Sequence, residues 1–599
     1  MRQAIACLAC ILVYLAPVRA DTISVPGDTS SLAEAVARAR CGDIIALGKG
    51  QFAGGVTIDR PITIRGINWA QTRIAGEQKV LTIDADVTLE NLAVVGGRCG
   101  VFVKAGNHLG AFGCAFTDAA EDGIGFEPST ATTIELCTCL VTRNVDGIDL
   151  ESTQGLIMDT VFTGNADDGL DYDGDARVTC VHCRFADNGD DGIEVRLRNT
   201  TEVILSKCEF SGNKEDGLEI INSPLAEPAC NVLVLGHNNF TGNRRWGVGF
   251  VTSSKPEEAL KDDRTKAQVM WGPNAFEGNT RGAVSPNHAR EMLRAQPTSA
   301  QTTITVTSAD GNKSKRVVPM HTLLPVATIS LRPDLGGQKI RDLEGVTLLG
   351  TRMFVADDDS PAIYEVDLTT KQISRKLKTN PIPGTDVTVK GTEGLSLTSI
   401  DGEAALLLSC DDERRVLTLD PGPHRFGALL GNVDVSKVTP QCEGIEQIGD
   451  KVLVVHSGRS LRILRPGDLE PTPQARLSFD TGGFGAHIAG IGYDGRRIII
   501  AASAYQGKQV HTQYSSLIAL DPDTCEPLEA WHMSYLDDPR GVACANGLVW
   551  VADGKSPYKD AELGIRTASG IRVLTFALED NIRNSLRWHH MPGPGFRAD

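Results

Sequence analysis

Beyond its first twenty residues the chain has no apolar run long enough to cross a bilayer, so no membrane span is expected. It is short of basic residues: 59 Lys and Arg stand against 76 Asp and Glu, a formal net charge of -17. That deficit argues against nucleic acid and against an anionic membrane surface as partners. Paired metal knuckles are also missing. Cys180 and Cys183 have the spacing of one, but no second pair follows at a matching distance, which excludes the common zinc arrangements.

The opening residues read as a secretory signal. Arg2 precedes an apolar run from Ala4 to Pro17, and Val18-Arg19-Ala20 forms a small-residue cleavage site before Asp21. Removal of residues 1–20 takes away Arg2 and Arg19 and moves the charge from -17 to -19; the mature chain is expected to be secreted or periplasmic. Of 15 cysteines, Cys7 and Cys10 leave with that segment and 13 remain, an odd number. Cys114, Cys139, Cys183 and Cys208 share one repeat position, two residues before an aromatic row, and period-2 alternation turns them inward as small hydrophobes.

The dominant feature is a repeated phrase close to x-F-x-G-N-x-x-D-G-[I/L]-[E/D], starting at Phe116, Val141, Phe162, Phe185, Phe210 and Phe240 with steps of 21 to 30 residues. Such a period means stacked coils. Strands of adjacent coils lie about 4.8 Å apart, so every recurring residue becomes a ladder. Asn144, Asn165, Asn188, Asn213 and Asn243 form one ladder at a turn, where a side-chain amide tolerates left-handed backbone and bonds its equivalent in the next coil. Ile124, Ile148, Leu170, Ile193, Leu218 and Val248 form an inward row. A weaker coil recurs at Asn274 to Asn279, so the solenoid is expected over residues 21–290, with residues 253–267 as a surface excursion.

Residues 291–319 lack a sustained period and read as a linker or short strand pair. From 320 to 599 the repeat doubles. Glu344-Gly345, Glu393-Gly394 and Glu443-Gly444, with degenerate copies at Ala489-Gly490 and Arg540-Gly541, are spaced by 49, 50, 46 and 51 residues, the length of a four-stranded blade. Five visible blades, plus one assembled from strands near 326–331 and 571–576, predict a six-bladed β-propeller. The fold class is therefore all-β, a right-handed parallel β-helix followed by a propeller.

Acids fall on three rows of the solenoid. Asp122, Asp146, Asp168, Asp191 and Asp216 occupy the turn, preceded by Glu121, Asp167, Asp190 and Glu215. An Asp before Gly closes an Asx-type turn on its own backbone, which accounts for this row without chemistry. Asp149, Asp171, Glu194 and Glu219 lie three residues on; Glu127, Glu151, Asp173 and Arg196 lie two further. No turn needs these outward rows. Unit charges about 5 Å apart repel by about 3 kcal/mol at an effective dielectric of 20. Persistent stacked carboxylates call for a cation, protonation or full hydration, and calcium matches such oxygens. Asp149, Asp171, Asp173, Glu194 and Glu219 are the candidate ligands there. Glu344, Glu393 and Glu443 are a second candidate set, because one position of three successive blades converges on a propeller channel.

The segment from Ser30 to Val36, then Cys41-Gly42-Asp43-Ile44-Ile45-Ala46-Leu47, resembles the opening of the secreted pectate-lyase-like superfamily, which implies a capping helix over the first coil. "RNVDGIDL" followed by "NADDGLDY" resembles the first two catalytic segments of polygalacturonases, which carries catalytic roles onto Asp146, Asp167 and Asp168. That family's His-Gly turn and Arg-x-Lys clamp are absent; the third coil has Asp190-Asp191-Gly192 instead. A lyase needs a base, and Arg196 is the sole basic residue on the strand rows. "DLEGV", "GTEGLSL" and "QCEGI" resemble SdiA-regulated and gluconolactonase-like propellers, which bind a divalent metal through such a Glu. The expectation is a secreted carbohydrate-active or carbohydrate-binding protein acting on an extracellular polysaccharide through a calcium-binding acidic face. The alternatives are a non-enzymatic scaffold or adhesion protein and a metal-dependent lactone or ester hydrolase in the propeller.

Overall fold

The computed structural model describes residues 20–222, 231–251, 267–285 and most of 301–578. The segment read as a secretory signal and the excursion after Ser253 lie outside the described residues. Among those described, no helix is long and apolar enough to cross a membrane.

The chain is all-β apart from one short helix, Leu32–Arg38, whose N-cap Ser31 accepts a bond from the Glu34 N–H and which buries Leu32, Ala35 and Val36 over the first coil. Each later coil gives one strand to each of three parallel sheets of eleven, ten and ten strands. Register follows the repeat. Ile148, Leu170, Ile193 and Leu218 pair in succession, and all are fully buried. Phe162, Phe185, Phe210, Phe240 and Phe276 stack with centroids 4.6 to 5.0 Å apart. The strand spacing thus sets the ring spacing.

Beside the aromatics runs the Asn ladder. Asn165 donates through its backbone N–H and through Nδ2 to Asn188 Oδ1, at 3.3 and 3.1 Å, and Asn188 repeats this on Asn213. The left-handed residue of this turn is the one before the Asn, as at Arg143, Gly164, Asp187 and Gly212. An asparagine in right-handed or extended backbone can aim its amide along the stack; one position earlier the chain must bend. Cys114, Cys139, Cys183 and Cys208 are buried, and the described cysteines are all free thiols.

In the C-terminal half the inner strands Leu343–Leu349, Leu395–Ile400, Cys442–Ile448, His487–Tyr493 and Pro539–Ala545 each start a four-stranded antiparallel blade. Among the described residues there are five blades, not six. The strands Ala327–Ser330 and Arg572–Phe576, expected to build a sixth, complete the fifth, which supplies only two strands of its own. Closure explains the repeated glycine. A Cβ on Gly345 would lie 2.4 Å from Glu393 O, one on Gly394 2.6 Å from Glu443 O, one on Gly444 2.5 Å from Ala489 O, one on Gly490 2.1 Å from Arg540 O, and one on Gly541 2.8 Å from Glu344 O. Each blade's glycine abuts the next blade's backbone, and the fifth meets the first.

The segment read as a linker contains a hairpin, Gln301–Thr307 with Lys313–Thr322. Its first strand pairs antiparallel with Pro471–Asp480 of the third blade, and its second pairs parallel with Pro527–Met533 of the fourth. Covering both outer edges removes two unpaired strand rims. A separate apolar contact joins the halves: Ile204, Val232, Val234 and Met270, on the outside of the first solenoid sheet, pack with propeller residues including Ile499, Leu517 and Trp531.

Candidate functional site

The strand row is a ladder in the folded chain. Asp149 pairs with Asp171, Asp171 with Glu194, and Glu194 with Glu219, on the second sheet. Because the neighbours Ile148, Leu150, Leu170 and Tyr172 fill the interior, alternation turns these acids outward, where three are half-buried and Glu219 is 8% exposed. The row ends in glycine on both sides, Gly125 against Asp149 and Gly249 against Glu219. There the turn carboxylates lean over the strand: a Cβ on Gly249 would lie 2.1 Å from Asp216 Oδ2.

Crowding perturbs these groups. Burial first, then Glu194, Asp173 and Asp149, push the Asp171 carboxyl up to about 8. Burial and then Asp122 take Asp149 to about 7, and burial with Asp216 and Glu194 takes Glu219 to about 8. Asp171 Oδ1 is buried with no hydrogen-bond partner. Three sets of carboxylates each gather one oxygen apiece within 4.8 Å: Asp167, Asp168 and Asp190; Asp190, Asp191 and Glu215; Asp191, Glu194 and Glu219.

The turn row does structural work, though not as an Asx turn on its own backbone. From Asp146 onward each Asp receives the N–H of the next coil: Asp168 N–H donates to Asp146 Oδ1 at 3.1 Å, and Asp191 N–H to Asp168 Oδ1 at 2.8 Å. This staircase continues through Asp216 to Trp246. Asp146 and Asp168, expected to be catalytic, each have one oxygen held by it, whereas Asp167 is exposed beside them. Burial pushes Asp168 up to about 9 despite that N–H.

Arg196 is not a free base. Its Nε lies 3.0 Å from Asp173 Oδ1 and its Nη2 2.9 Å from Glu194 Oε1, and both contacts hold the guanidinium in its charged form. Asp173 therefore already has a countercharge. A second arginine, missed in the row reading, serves the other end: Arg245 pairs with Glu215 and stands 3.6 Å from Glu219 Oε1. It was findable, since Arg245 is the next-coil successor of Asp190 and Glu215, the point where that row changes sign.

In the propeller the three repeated glutamates ring the channel but divide among partners. Glu443 Oε2 faces His487 Nε2 at 2.9 Å, and Glu344 Oε2 lies 3.5 Å from Arg540 Nη1, whose Nε is 3.0 Å from Asp538 Oδ1. Among the described residues these glutamates are not in any of the sets that gather three ligand atoms.

The profile of the right-handed β-helix region family matches residues 99–259, the stretch that carries the acid rows. No curated protein matches the chain. Solved structures with partial likeness include glutaminyl cyclase of Myxococcus xanthus, at 13% identity and TM-score 0.30, covering 43% of this chain and 96% of its own. Pectate lyase Pel9A follows at 14% identity and TM-score 0.34, over 47% of this chain and 78% of its own. The catalytic domain of a GH87 alpha-1,3-glucanase in complex with tetrasaccharides shows 10% identity and TM-score 0.27, over 45% and 67%. At such identities these likenesses say nothing about what this chain binds.

Proposed function

We propose that this is a secreted carbohydrate-binding or carbohydrate-active protein whose second-sheet face meets an extracellular polysaccharide through bound calcium. The observation that carries the reading is the in-register row Asp149, Asp171, Glu194 and Glu219 with Asp171 Oδ1 buried and unbonded. A scaffold does not need this row. The coils are already joined by the Asn ladder, the Phe stack and the turn-Asp staircase, all on other positions. An all-carboxylate donor set suits a hard cation. Asp171, Glu194 and Glu219 with Asp191 would hold it, and a bound cation would offer open coordination positions to sugar hydroxyl or carboxylate oxygens.

A hydrolytic role has one specific support. Asp167 and Asp168 bring oxygens within 4.8 Å of each other and of Asp190, with Asp168 buried and pushed up to about 9 while Asp167 faces solvent. One protonated and one ionised carboxyl is the pairing that glycoside hydrolysis uses.

The test uses the full chain stripped with EDTA. Calcium is titrated calorimetrically, and binding and turnover are followed on a panel of uronate and neutral polysaccharides. The proposal expects calcium binding that Asp171→Asn weakens, and polysaccharide retention that needs calcium. Turnover lost in Asp167→Asn would add the hydrolytic role. No calcium uptake and no polysaccharide bound would leave a scaffold.

A further inference from the structure

One column of the solenoid sets thiols in adjacent coils. The register that pairs Val181 with Ser206 and Arg184 with Glu209 places Cys183 directly beside Cys208. Carried along the stack, the same register gives the order Cys114, Cys139, Thr160, Cys183, Cys208, Asn238. The other polar members of this column tie coils together: Thr160 Oγ1 accepts the Cys139 N–H at 3.3 Å, and Asn238 Oδ1 accepts the Cys208 N–H at 2.9 Å. The cysteines between them are buried and free.

Both sulfurs lean toward the preceding coil. Cys183 Sγ donates to Ile157 O at 3.4 Å and Cys208 Sγ to Cys180 O at 3.5 Å. Cys208 Sγ therefore lies against the coil that carries Cys183, and the two thiols are in hydrogen-bond contact. Adjacent strands are about 4.8 Å apart, inside the Cα separation of about 4.4–6.8 Å that a disulfide spans. Cys139 and Cys183 are two coils apart, about 9.6 Å, which no disulfide bridges. The Cys180 thiol also reaches Cys183, but it belongs to another column. A bridge between those two would close a loop within a single bend, which constrains the unfolded chain least.

We propose that Cys183 and Cys208 form a disulfide that joins consecutive coils when the chain folds in the presence of a disulfide oxidant. The step is thiol–disulfide exchange. One cysteine thiolate attacks the oxidant's S–S bond and expels one thiol; the second then displaces the other from the mixed disulfide. Two protein thiols thus lose two protons and two electrons, and the oxidant becomes two thiols. A secreted or periplasmic chain meets such an oxidant. Burial pushes both thiols well above their ordinary range, so thiolate is scarce once the coils have closed and the bond forms while they assemble. This inference goes beyond the polysaccharide reading and does not depend on the acid face.

The test refolds the reduced full-length protein in a mixture of oxidised and reduced glutathione, alkylates the remaining thiols in denaturant, and maps tryptic peptides without reduction. Cleavage after Arg177, Arg184, Lys207 and Lys214 yields residues 178–184, which carry Cys180 and Cys183, and residues 208–214, which carry Cys208. The expected result is that these two peptides are linked, that the link persists in Cys180→Ser, and that it is lost in Cys183→Ala. Reduction by a phosphine should lower the melting temperature of the parent by about 5–10 °C and leave that of Cys208→Ala unchanged. The parent's peptide map and its response to the phosphine need no variant to fold. Three alkylated thiols in the refolded parent, a Cys180–Cys183 bridge, a link that disappears in Cys180→Ser, or a melting temperature indifferent to reduction overturns the proposal.

Discussion

Replacing Asp171 by Asn removes one charge from the middle of the ladder and keeps its volume. Asp171 has Asp149 on one side and Glu194 on the other, at one strand spacing. At about 4.8 Å and an effective dielectric of 20, each ionised pair repels by about 3 kcal/mol. Glu194 is already met by Arg196, so the uncompensated pair is the one with Asp149. Solvent on the open side reduces it to about 1–2 kcal/mol. The sign depends on pH. The folded Asp171 carboxyl titrates near 8, whereas in an unfolded chain it would titrate near ~3.9. The folded state therefore keeps a proton that the unfolded state has lost, and this group's contribution falls as pH rises from about 4 to about 8. Urea unfolding in EDTA should show Asp171→Asn equal to the parent at pH 4 and more stable by about 1–2 kcal/mol at pH 8. Under the proposed calcium binding the order should reverse: at a hundred times its dissociation constant calcium would add about 2.7 kcal/mol to the parent, and the variant should gain less. A variant less stable than the parent in EDTA at pH 8, or a difference that ignores pH, refutes the reasoning.

Asn188→Ala should destabilise the solenoid by about 2–4 kcal/mol by chemical denaturation, because it orphans the Asn165 N–H and Nδ2 and removes the Nδ2 donation to Asn213 while the residue's own backbone N–H donation stays. Gly394→Ala should lower the melting temperature of the propeller half and leave calcium binding intact, since its Cβ would meet Glu443 O at 2.6 Å. Val234→Asp buries an unpaired charge between solenoid and propeller; two separate calorimetric transitions should replace coupled melting, with the solenoid still folded. Arg196→Met should raise the calcium-free sensitivity of the fold to alkaline pH, measured as a steeper loss of melting temperature from pH 6 to 9, because Asp173 and Glu194 lose their shared cation.

What the chain's linear order determined was every feature that depends on one coil repeating the last. Parallel pairing at a fixed spacing turns a sequence period into a spatial column, so the Phe, Asn and Asp149-to-Glu219 rows were legible before any coordinates. The blade repeat was legible for the same reason, down to the glycine. Tertiary structure decided what happens between columns. Arg196 and Arg245 reach sideways to neutralise particular acids, the turn aspartates spend an oxygen on the next coil's backbone, and Asp190, Asp191 and Glu215 come close because the turn folds two adjacent rows together. Closure also lay beyond the repeat. A count of phrases cannot say whether the terminal strands form a blade or finish one; that depends on the ring meeting itself, where Gly541 meets Glu344. Pairing along a column is local and periodic, whereas charge neutralisation and ring closure depend on distances between residues that share no period.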